Sequence, residues 1–587
     1  MTQSLQDFQP DETFDVVVVG AGGAGMSAAL FAAIRGAKVL LLERTEYVGG
    51  TTAFSAGTTW IPNSRHANSV APGGDDPEKA RGFLRRAVGE RSPEALRDAF
   101  LEAGPQAIAE IEANSCVRYR ARPLHPDYLS ELEGSTLRGR ALEPLPFDGR
   151  QLGERFSLVR PPIPEFTVLG GMMVDRDDVN HLLGLTKRWS SLCHSLKLLA
   201  RHARDRLSYP RGTRLVMGNA LIASLLQSLD QRGVPVLTRA SLERIERDGE
   251  AISAIEVSQA DVRRRLRIKG GLILASGGFN RHPERRKKLL GEIDVAWCPA
   301  APGHTGAAHD LAEAVGASYG KPGLSHAFWA PVSIRKRADG NSAVFPHFIM
   351  DRGKPGMITV DARGQRFLNE STSYHLFGIG MQEANRQAPA IPAFLVTDAQ
   401  GLRRYGLGMV RPGGKGLTPF LEDGYLTQAP TLAELAAKLG IDAGGLQDSV
   451  QRMNRYAREG RDEDYQRGST DYQRANGDAT RNLPNPNLGA IEQAPYYAVR
   501  LYPGDIGAAT GFATNTEAQV LDAAGAPIPG LYAVGNDMHS IMGGTYPGPG
   551  ITLGPGLAFA WIAASHAVAT ANAERSTTPA QTRRAST

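Results

Sequence analysis

Cysteine is scarce in this chain, which has three among 587 residues, at positions 116, 193 and 298. An odd number at such wide spacings predicts neither a disulfide framework nor a thiolate metal site. No other group of residues has metal-ligand spacing, so the sequence predicts no metal ion. We expect all three cysteines to be buried thiols in a reducing compartment.

Charge of one sign is also lacking. The chain has 66 lysines and arginines against 61 aspartates and glutamates, a net charge of +5. Such a mixed surface is not typical of nucleic-acid binding, so no nucleic-acid partner is expected. The N-terminus is polar and acidic, unlike a signal peptide, and no run of about 18 apolar residues predicts a membrane span. We therefore expect a cytoplasmic protein.

Residues 174–206 have a pattern that would suit a membrane surface. Leucines recur there at helical spacing, mixed with lysines and arginines. A basic amphipathic segment of this kind can make a peripheral contact with anionic lipid. The alternative is an ordinary exposed helical insertion, which has the same pattern and is the favoured interpretation.

The strongest positive signal lies at residues 15–25, which read DVVVVGAGGAG. Four consecutive valines are typical of a strand buried on both faces of a parallel sheet. The glycines that follow match G-x-G-x-x-G. In that motif Gly20 permits a tight turn, Gly22 lets a diphosphate approach the backbone, and Gly25 lets helix and strand pack closely.

The residues after the fingerprint complete a β-α-β unit. Residues 26–34 favour a helix, and residues 38–42 are a second apolar strand that ends at Glu43. The helix N-terminus offers unpaired N–H groups to phosphates, and the Glu43 carboxylate can accept hydrogen bonds from a ribose diol. The sequence therefore predicts a dinucleotide site.

Residues 44–57, RTEYVGGTTAFSAG, form a loop suited to close contact with a flat ligand. With the fingerprint and Glu43, this loop resembles the flavoprotein group that contains fumarate reductases and 3-ketosteroid dehydrogenases. Three further stretches narrow the resemblance to the FAD-dependent 3-ketosteroid Δ1-dehydrogenases. They are YPGPG at residues 546–550, RFLNE followed by Tyr374, and the HPDY loop that ends at Tyr128.

The resemblance implies an α/β fold: a discontinuous, Rossmann-like FAD-binding domain with an inserted α+β catalytic domain. We expect the FAD-binding domain at residues 1–290, with a helical and loop insertion at about 141–211, and again at 496–573. The catalytic domain would occupy residues 291–495. A disordered tail would follow at residues 574–587.

The resemblance also implies roles for four residues. The Tyr546 hydroxyl and the backbone N–H of Gly550 would form an oxyanion hole for the C3 carbonyl of a ketosteroid. Tyr374 would remove the C2 proton, and Tyr128 would hydrogen-bond Tyr374 and help it ionise. Hydride would pass from C1 to the flavin, which leaves a C1–C2 double bond.

FAD is the implied cofactor, and we expect it to be non-covalent because no histidine lies between Glu43 and Gly57. With no second dinucleotide fingerprint for a nicotinamide, the electron acceptor is expected to be a quinone or another carrier. The expected cofactor-binding residues are Gly20, Gly22, Gly23, Ala24, Gly25, Glu43, Arg44, Gly50, Thr51, Thr52, Ser55, Ala56, Gly57, Gly277, Gly278, Gly535, Asn536, Gly550, Thr552 and Leu553.

Departures from the family pattern leave the substrate open. Residues 503–511 read PGDIGAATG where PGD-x-GT-x-GG is usual, Asn515 replaces an aspartate, and His125 replaces an aromatic residue. A smaller cyclic ketone is therefore an alternative substrate. Phe328 and Trp329 could line an apolar pocket, although core packing is the expectation.

Two other functions are alternatives to steroid desaturation. A fumarate-type reductase would need arginines to hold carboxylates, and Arg352, Arg403 and Arg404 are candidates by residue type alone. A non-catalytic, FAD-binding lipid carrier is the third hypothesis.

Residues 461–487 are charged, have no apolar period and are expected to form a long surface connection.

Overall fold

The computed structural model describes residues 4–185, 188–337 and 339–577. Two large β-sheets dominate it, and helices cover their faces. The strands are β1 (Glu12–Val19), β2 (Val39–Leu42), β3 (Thr59–Trp60), β4 (Tyr119–Ala121), β5 (Ala141–Pro144), β6 (Phe147–Asp148), β7 (Thr167–Val168), β8 (Met172–Met173), β9 (Arg214–Leu215), β10 (Val236–Leu237), β11 (Ala240–Asp248), β12 (Ala251–Gln259), β13 (Val262–Leu274), β14 (Ala327–Lys336), β15 (Ser342–Pro346), β16 (Met357–Val360), β17 (Ala393–Asp398), β18 (Thr427–Ala429), β19 (Tyr496–Ala508), β20 (Gln519–Leu521) and β21 (Pro527–Ala533). The helices are α1 (Gly23–Ile34), α2 (Pro77–Val88), α3 (Glu94–Asn114), α4 (Arg176–Leu183), α5 (Trp189–Asp205), α6 (Met217–Gln231), α7 (Pro283–Leu290), α8 (Ala307–Ala314), α9 (Tyr374–Asn385), α10 (Ala399–Tyr405), α11 (Thr418–Glu422), α12 (Leu432–Leu439), α13 (Ala443–Glu459), α14 (Asp471–Asn476) and α15 (Leu553–Thr577).

The first sheet has eight strands and contains the predicted β-α-β unit. β10, β2, β1 and β13 are adjacent and parallel, and β21 adds a further parallel pairing to β13. Val16, Val17 and Val18 of β1 are fully buried, because α1 and α15 both pack against this strand. The expectation of a Rossmann-like α/β fold is confirmed.

β13 begins at Val262, and its first half pairs antiparallel with β12 and has exposed charges. The end of α15 differs from the expectation. α15 continues to Thr577, so the predicted start of a tail at residue 574 is wrong. Residues 578–587 lie outside the described residues.

The second sheet has six antiparallel strands in the order β15-β14-β19-β17-β16, with β18 also paired to β19. Alternate residues of its strands face opposite sides, as the pleat requires. Ile358 and Val396 pack towards α12 and α13, whereas Met357 and Leu395 pack towards α9 and α10. Because the central strand β19 begins at Tyr496, this sheet extends beyond the limit predicted at residue 495.

The segment at 141–211, for which a helical and loop insertion is predicted, contains β5 to β8, α4 and α5. α5 leaves Trp189 and Leu196 exposed, at 77% and 54% of their full accessible surface. Residues 186–187, within the segment that would touch a membrane, lie outside the described residues. Membrane contact stays a prediction.

One helix is long and apolar enough, by length and composition, to cross a membrane. It runs over Leu553–Arg575 within α15. Leu557, Phe559 and Ala563 of this helix are buried in the core of the first sheet. A buried core helix of a globular protein can have the same length and apolar composition.

The cysteines match the expectation only in part. Cys298 is buried, whereas Cys116 and Cys193 are half-buried, and all three are free thiols. The expectation of three buried cysteines is therefore wrong for two of them.

Candidate active site

A cavity of about 1230 Å³ lies where the first sheet meets the second. Single ligand pockets usually measure ~300–1,000 Å³, so this one can hold a cofactor together with a second molecule. We call one side the nucleotide wall (Gly20, Gly22, Glu43, Thr51 and Thr52). We call the other the tyrosine wall (Tyr128, Phe348, Tyr374, Tyr472 and Tyr546).

Most of the sequence-predicted residues line this cavity. They are Gly20, Gly22, Gly23, Ala24, Glu43, Arg44, Gly50, Thr51, Thr52, Ser55, Ala56, Gly57, Gly277, Gly535, Asn536, Gly550, Thr552, Leu553, Tyr128, Tyr374 and Tyr546. Gly25 and Gly278 do not. Gly25 packs α1 against the turn after β1, and the Gly278 N–H donates to the buried Asp537 carboxylate at 2.8 Å.

The fingerprint glycines have the geometry that a bound diphosphate requires. Gly20 has φ +106°, and a Cβ there would lie 2.2 Å from the Ala275 carbonyl oxygen. A Cβ on Gly25 would lie 1.9 Å from the Gly20 oxygen, so β1 and α1 can pack this closely only with glycine at position 25. A Cβ on Gly22 would meet nothing within 4 Å, which leaves that backbone open to a ligand at the start of α1.

Glu43 directly follows β2 and lines the cavity with a buried carboxylate. One oxygen accepts from the Ala21 N–H at 3.1 Å, and the other accepts from the Thr45 N–H at 2.9 Å and the Thr45 hydroxyl at 2.7 Å. A carboxylate has about four acceptor positions, so these three bonds fix its orientation and leave one position for a ribose hydroxyl. This geometry fits the role that the sequence predicted for Glu43.

The loop after β2 is held against α1 by threonine side chains. The Gly23 N–H donates to Thr52 Oγ1 at 3.2 Å, and the Ala301 N–H donates to Thr51 Oγ1 at 2.9 Å. His304 lies beside them in the cavity with its buried Nδ1 unpartnered among the described residues. Burial lowers the pKa of His304 to about 4, so the ring is neutral and can accept or donate one hydrogen bond to a cofactor. These donors and acceptors fit a dinucleotide.

Three tyrosines from distant parts of the chain meet in the tyrosine wall. The Tyr128 hydroxyl donates to the Tyr374 hydroxyl at 3.3 Å. The ring of Tyr546 lies 5.1 Å from that of Tyr374 and stacks on Tyr128 at 5.6 Å, centroid to centroid. All three are the tyrosines predicted from the sequence.

Backbone contacts fix the relative position of these tyrosines. The Tyr128 N–H donates to the Pro547 carbonyl at 2.7 Å, which ties the HPDY loop directly to YPGPG. His375 Nε2–H donates to the Gly544 carbonyl at 3.0 Å, and its Nδ1 accepts from the Trp329 N–H at 3.2 Å. Burial lowers the pKa of His375 to about 4, so this neutral ring links α9 to the YPGPG loop and does not titrate near pH 7.

Burial is the main electrostatic influence on the tyrosines. It raises the pKa of Tyr374 well above the usual value, and the neighbouring Tyr128 and Tyr546 add to the effect. Burial also raises the pKa of Tyr128, whereas the Tyr374 hydrogen bond and the cation of Arg352 oppose that rise. Tyr374 is the first residue of α9, where the helix dipole favours an anion.

Gly550 supplies a backbone donor close to Tyr546. It has φ +91°, and a Cβ there would lie 2.3 Å from the Thr58 oxygen, so only glycine fits. Its N–H has no acceptor among the described residues, although its carbonyl accepts from the Trp60 and Gly554 N–H groups. A free N–H beside a tyrosine hydroxyl can hold a developing oxyanion.

Sequence reasoning missed several residues of this site. Tyr472 lies 4.9 Å from Tyr128, and Phe348 lies 5.0 Å from Tyr374, between ring centroids. Tyr472 belongs to the segment 461–487, and the prediction of a surface connection there is wrong. Asp462 and Arg467 of that segment are buried in an ion-pair network with Arg366 and Glu370. These residues belong to no sequence motif, because long-range packing of the chain brings them to the site.

The structure also shows where the other candidate residues from the sequence lie. Phe328 lines the cavity and contacts the Tyr546 ring at 5.2 Å, whereas Trp329 does not line it. Arg352 is fully buried, and its guanidinium donates to the backbone carbonyls of His347 and Thr372. Arg403 and Arg404 are exposed, and Arg404 lies at the cavity rim.

The nucleotide wall agrees with the family to which the sequence is related. A family model described as FAD binding domain matches residues 15–553. The chain belongs to this family. FAD is its cofactor, and it is an FAD-dependent oxidoreductase. Among the described residues, no group of three or more His, Cys, Asp or Glu side chains could hold a metal ion.

Individual relatives confirm the resemblance to 3-ketosteroid Δ1-dehydrogenases. The chain is 36% identical to a 3-oxosteroid 1-dehydrogenase of Mycolicibacterium smegmatis over 97% of its own length and 99% of the relative. It is 35% identical to a 4-oxocyclohex-2-ene-1-carboxylate 5-dehydrogenase of Sinomonas cyclohexanicum, with 94% and 92% covered. Its structure matches the 3-ketosteroid Δ1-dehydrogenase of Sterolibacterium denitrificans, solved with 1,4-androstadiene-3,17-dione, at a TM-score of 0.88 and 33% identity, with 95% and 100% covered.

Proposed function

We propose that this flavoprotein introduces the C1–C2 double bond of 3-ketosteroids. The single observation that carries the proposal is the tyrosine wall, where Tyr128, Tyr374 and Tyr546 meet at one end of the cofactor cavity. The named activity of the relative from Mycolicibacterium smegmatis supports it. The cavity is large enough for a steroid beside the cofactor.

In this proposal the ketone oxygen is bound by Tyr546 and Gly550. The phenol O–H and the free backbone N–H both donate to that oxygen as negative charge develops on it. Such donors commonly contribute about 3–4 kcal/mol each to the transition state, because they are fixed before the reaction begins. Stabilising the enolate makes the neighbouring C2–H more acidic.

Tyr374 then accepts the C2 proton. Its hydroxyl lies next to that of Tyr128, which can pass the proton onwards or stabilise the tyrosinate by hydrogen bonding. The buried Arg352 cation favours ionisation of Tyr128, and the N-terminus of α9 favours ionisation of Tyr374. The bound FAD supplies the hydride acceptor.

We infer that FAD is held non-covalently and that the electron acceptor of the reduced flavin is not a nicotinamide. The nearest histidine after the flavin loop, His66, has its Nε2 2.8 Å from the Glu112 carboxylate and does not line the cavity. A quinone or another carrier remains the proposed oxidant. A cytoplasmic location, with peripheral membrane contact through 174–206, also remains a proposal.

A smaller cyclic ketone is the second candidate substrate. It is favoured by the relative from Sinomonas cyclohexanicum, which is a 4-oxocyclohex-2-ene-1-carboxylate 5-dehydrogenase. The same oxyanion donors and tyrosine base would serve either ketone. A fumarate-type reduction is less well supported, because Arg352 does not line the cavity and its Nε and Nη1 donate to backbone carbonyls.

The experiment that tests the proposal is anaerobic mixing of the holoenzyme with androst-4-ene-3,17-dione. We expect bleaching of the flavin absorption band and formation of the 1,4-diene, identified by mass spectrometry. Bleaching by 4-oxocyclohexane-1-carboxylate alone would move the function to small ketones. If no ketone bleached the flavin, desaturation would be the wrong reaction.

A further inference from the structure

Two cations line the cavity near Tyr128 without any carboxylate partner. They are Arg176, the first residue of α4, and Lys354. Among the described residues, neither side chain lies within 4.0 Å of an aspartate or glutamate oxygen. Lys354 Nζ donates to the backbone carbonyls of Asn476 and Gly477, at 2.7 and 2.8 Å. Within residues 4–185, 188–337 and 339–577, the Arg176 guanidinium has no hydrogen bond.

The carboxylates of the same region make their closest contacts with other groups, although Glu143 and Asp177 still attract Arg176, and Asp478 attracts Lys354, over longer distances. Each of them accepts a hydrogen bond from a cation, a helix N–H or a hydroxyl within 3 Å. These contacts are Glu143 with Arg122 at 2.6 Å, Asp177 with Arg120 at 2.9 Å, Asp175 with the Asp178 N–H at 2.9 Å, and Asp478 with the Tyr405 hydroxyl at 2.6 Å.

The positive charge of Arg176 acts on two neighbouring groups. Burial lowers the pKa of His125 to about 3, and the cations of Arg122 and Arg176 add to the effect, so the ring is neutral. Burial likewise lowers the pKa of Lys354 to about 8, and Arg176 contributes repulsion. Like charges held together in a partly buried wall attract an anion more strongly than they would in water.

We propose that Arg176 and Lys354 bind a carboxylate of the substrate, at the end of the molecule remote from its ketone. The proposal rests on the proposed function, in which Tyr546 and Gly550 hold the ketone oxygen. A guanidinium binds a carboxylate through two parallel hydrogen bonds, and a lysine adds a mobile point charge. Arg176 lines the cavity with an exposed side chain, and none of its donors is used by the part of the chain that the structure describes.

The subsite selects acidic cyclic ketones over neutral ones of the same shape. The carboxylate could belong to a small ring, as in 4-oxocyclohexane-1-carboxylate, or to the side chain of a steroid, as in 3-oxochol-4-en-24-oate. Both present the same group to the same cations, and they differ only in the distance from ketone to carboxylate.

The test compares each acid with its own methyl ester, using the holoenzyme and an artificial electron acceptor. We expect kcat/KM to be at least tenfold higher for one acid than for its ester, and the acid that shows this identifies the source. Arg176→Gln should lower that acid-to-ester ratio about tenfold or more, mainly through KM, and Lys354→Gln should do the same. The matched control is Arg204→Gln, an exposed cation on α5 that does not line the cavity and should leave the ratio unchanged.

A binding measurement separates this proposal from the desaturation itself. Cyclohexane-1-carboxylate has no ketone, and calorimetry can follow its binding to the oxidised holoenzyme. We expect binding that weakens at least tenfold in Arg176→Gln. If ketones bleach the flavin but acid and ester react equally, or the variant binds the carboxylate as tightly as the wild type, the anion subsite is wrong and the desaturation stands. If the carboxylate binds through Arg176 but no ketone bleaches the flavin, the desaturation is wrong and the subsite stands.

Discussion

The nucleotide wall and the tyrosine wall face the same cavity but are built differently. The nucleotide wall comes largely from one contiguous stretch, residues 20–57, and its key features are backbone geometry: glycine turns and the start of α1. The tyrosine wall collects side chains from α9, α14 and three loops, which contain Tyr128, Phe348 and Tyr546. Cofactor binding therefore depends on local conformation, whereas substrate chemistry depends on tertiary packing.

This contrast predicts different consequences of mutation. A mutation in the nucleotide wall should distort the backbone and abolish cofactor binding. A change in the tyrosine wall should leave the cofactor in place and alter the rate or the selectivity. The predictions below separate the two kinds of effect.

The largest effect is expected from Gly20→Val in the nucleotide wall. A side chain there needs φ +106° and would collide with the Ala275 carbonyl, so the turn after β1 cannot form. We expect purified protein with no bound flavin, measured by the ratio of visible to ultraviolet absorbance. Gly22→Ala should fold normally and only weaken retention, because a Cβ there meets no protein atom.

The control for both glycine variants is Gly444→Ala, on the exposed surface of α13. It should keep the wild-type flavin content. Full retention of flavin by Gly20→Val would contradict the assignment of the nucleotide wall.

The next largest effect is expected from Tyr546→Phe in the tyrosine wall. Loss of the hydroxyl removes one oxyanion donor while the ring still packs on Tyr128, so flavin content should not change. We expect kcat to fall about 10²–10³-fold, the usual cost of one such donor. Steady-state kinetics with an artificial acceptor measure it, and Tyr497→Phe, in the core of the second sheet, is the matched control. An unchanged kcat would remove Tyr546 from the chemistry.

A smaller effect is expected from pH. Burial raises the pKa of Tyr374 and of Tyr128, so below these values the fraction of ionised base grows with pH. If that base limits the rate, kcat should rise up to about tenfold per pH unit between pH 7 and 9. His304 and His375, with pKa values of about 4, do not titrate in this range. A flat profile would argue against a tyrosine base.

The smallest effect is expected from Tyr472, the aromatic residue that the sequence did not reveal. Tyr472→Phe keeps the ring contact with Tyr128 and should change kcat/KM by less than about threefold. Tyr472→Ala removes that contact, lets Tyr128 move, and should cost about tenfold in kcat, since misplacement of a catalytic group lowers the rate. Equal losses in both variants would give the Tyr472 hydroxyl a chemical role.

The predictability of the two walls follows their construction. The strand, glycines, helix and acid from Asp15 to Glu43 could be predicted because each residue acts on its near neighbours in the chain. Tyr128, Tyr374 and Tyr546 could be proposed only through resemblance to a family, and no spacing in the sequence brings them together. Tyr472, Phe348 and the unpaired Arg176 needed the fold, because their meaning lies in what surrounds them.

Errors in the sequence interpretation have the same origin. Residues 461–487 look like a surface connection because their charges have no apolar period, yet Asp462 and Arg467 are buried through mutual ion pairing with Glu370 and Arg366. Charged residues that are buried as ion pairs leave no apolar pattern in the sequence. The limit set at residue 495 failed because β19 pairs with strands on both sides in the second sheet, a long-range choice that local pattern does not encode.

The most direct test of the account is the rate of flavin reduction in Tyr374→Phe under anaerobic, single-turnover conditions with androst-4-ene-3,17-dione. Phenylalanine preserves the ring contacts with Tyr128, Phe348 and Tyr546 but cannot accept a proton. We predict full flavin content and a rate of bleaching at least ~10²-fold, and up to about 10⁴-fold, below that of the wild type. Bleaching at the wild-type rate would contradict the assignment of Tyr374 as the base and with it the proposed chemistry of the tyrosine wall.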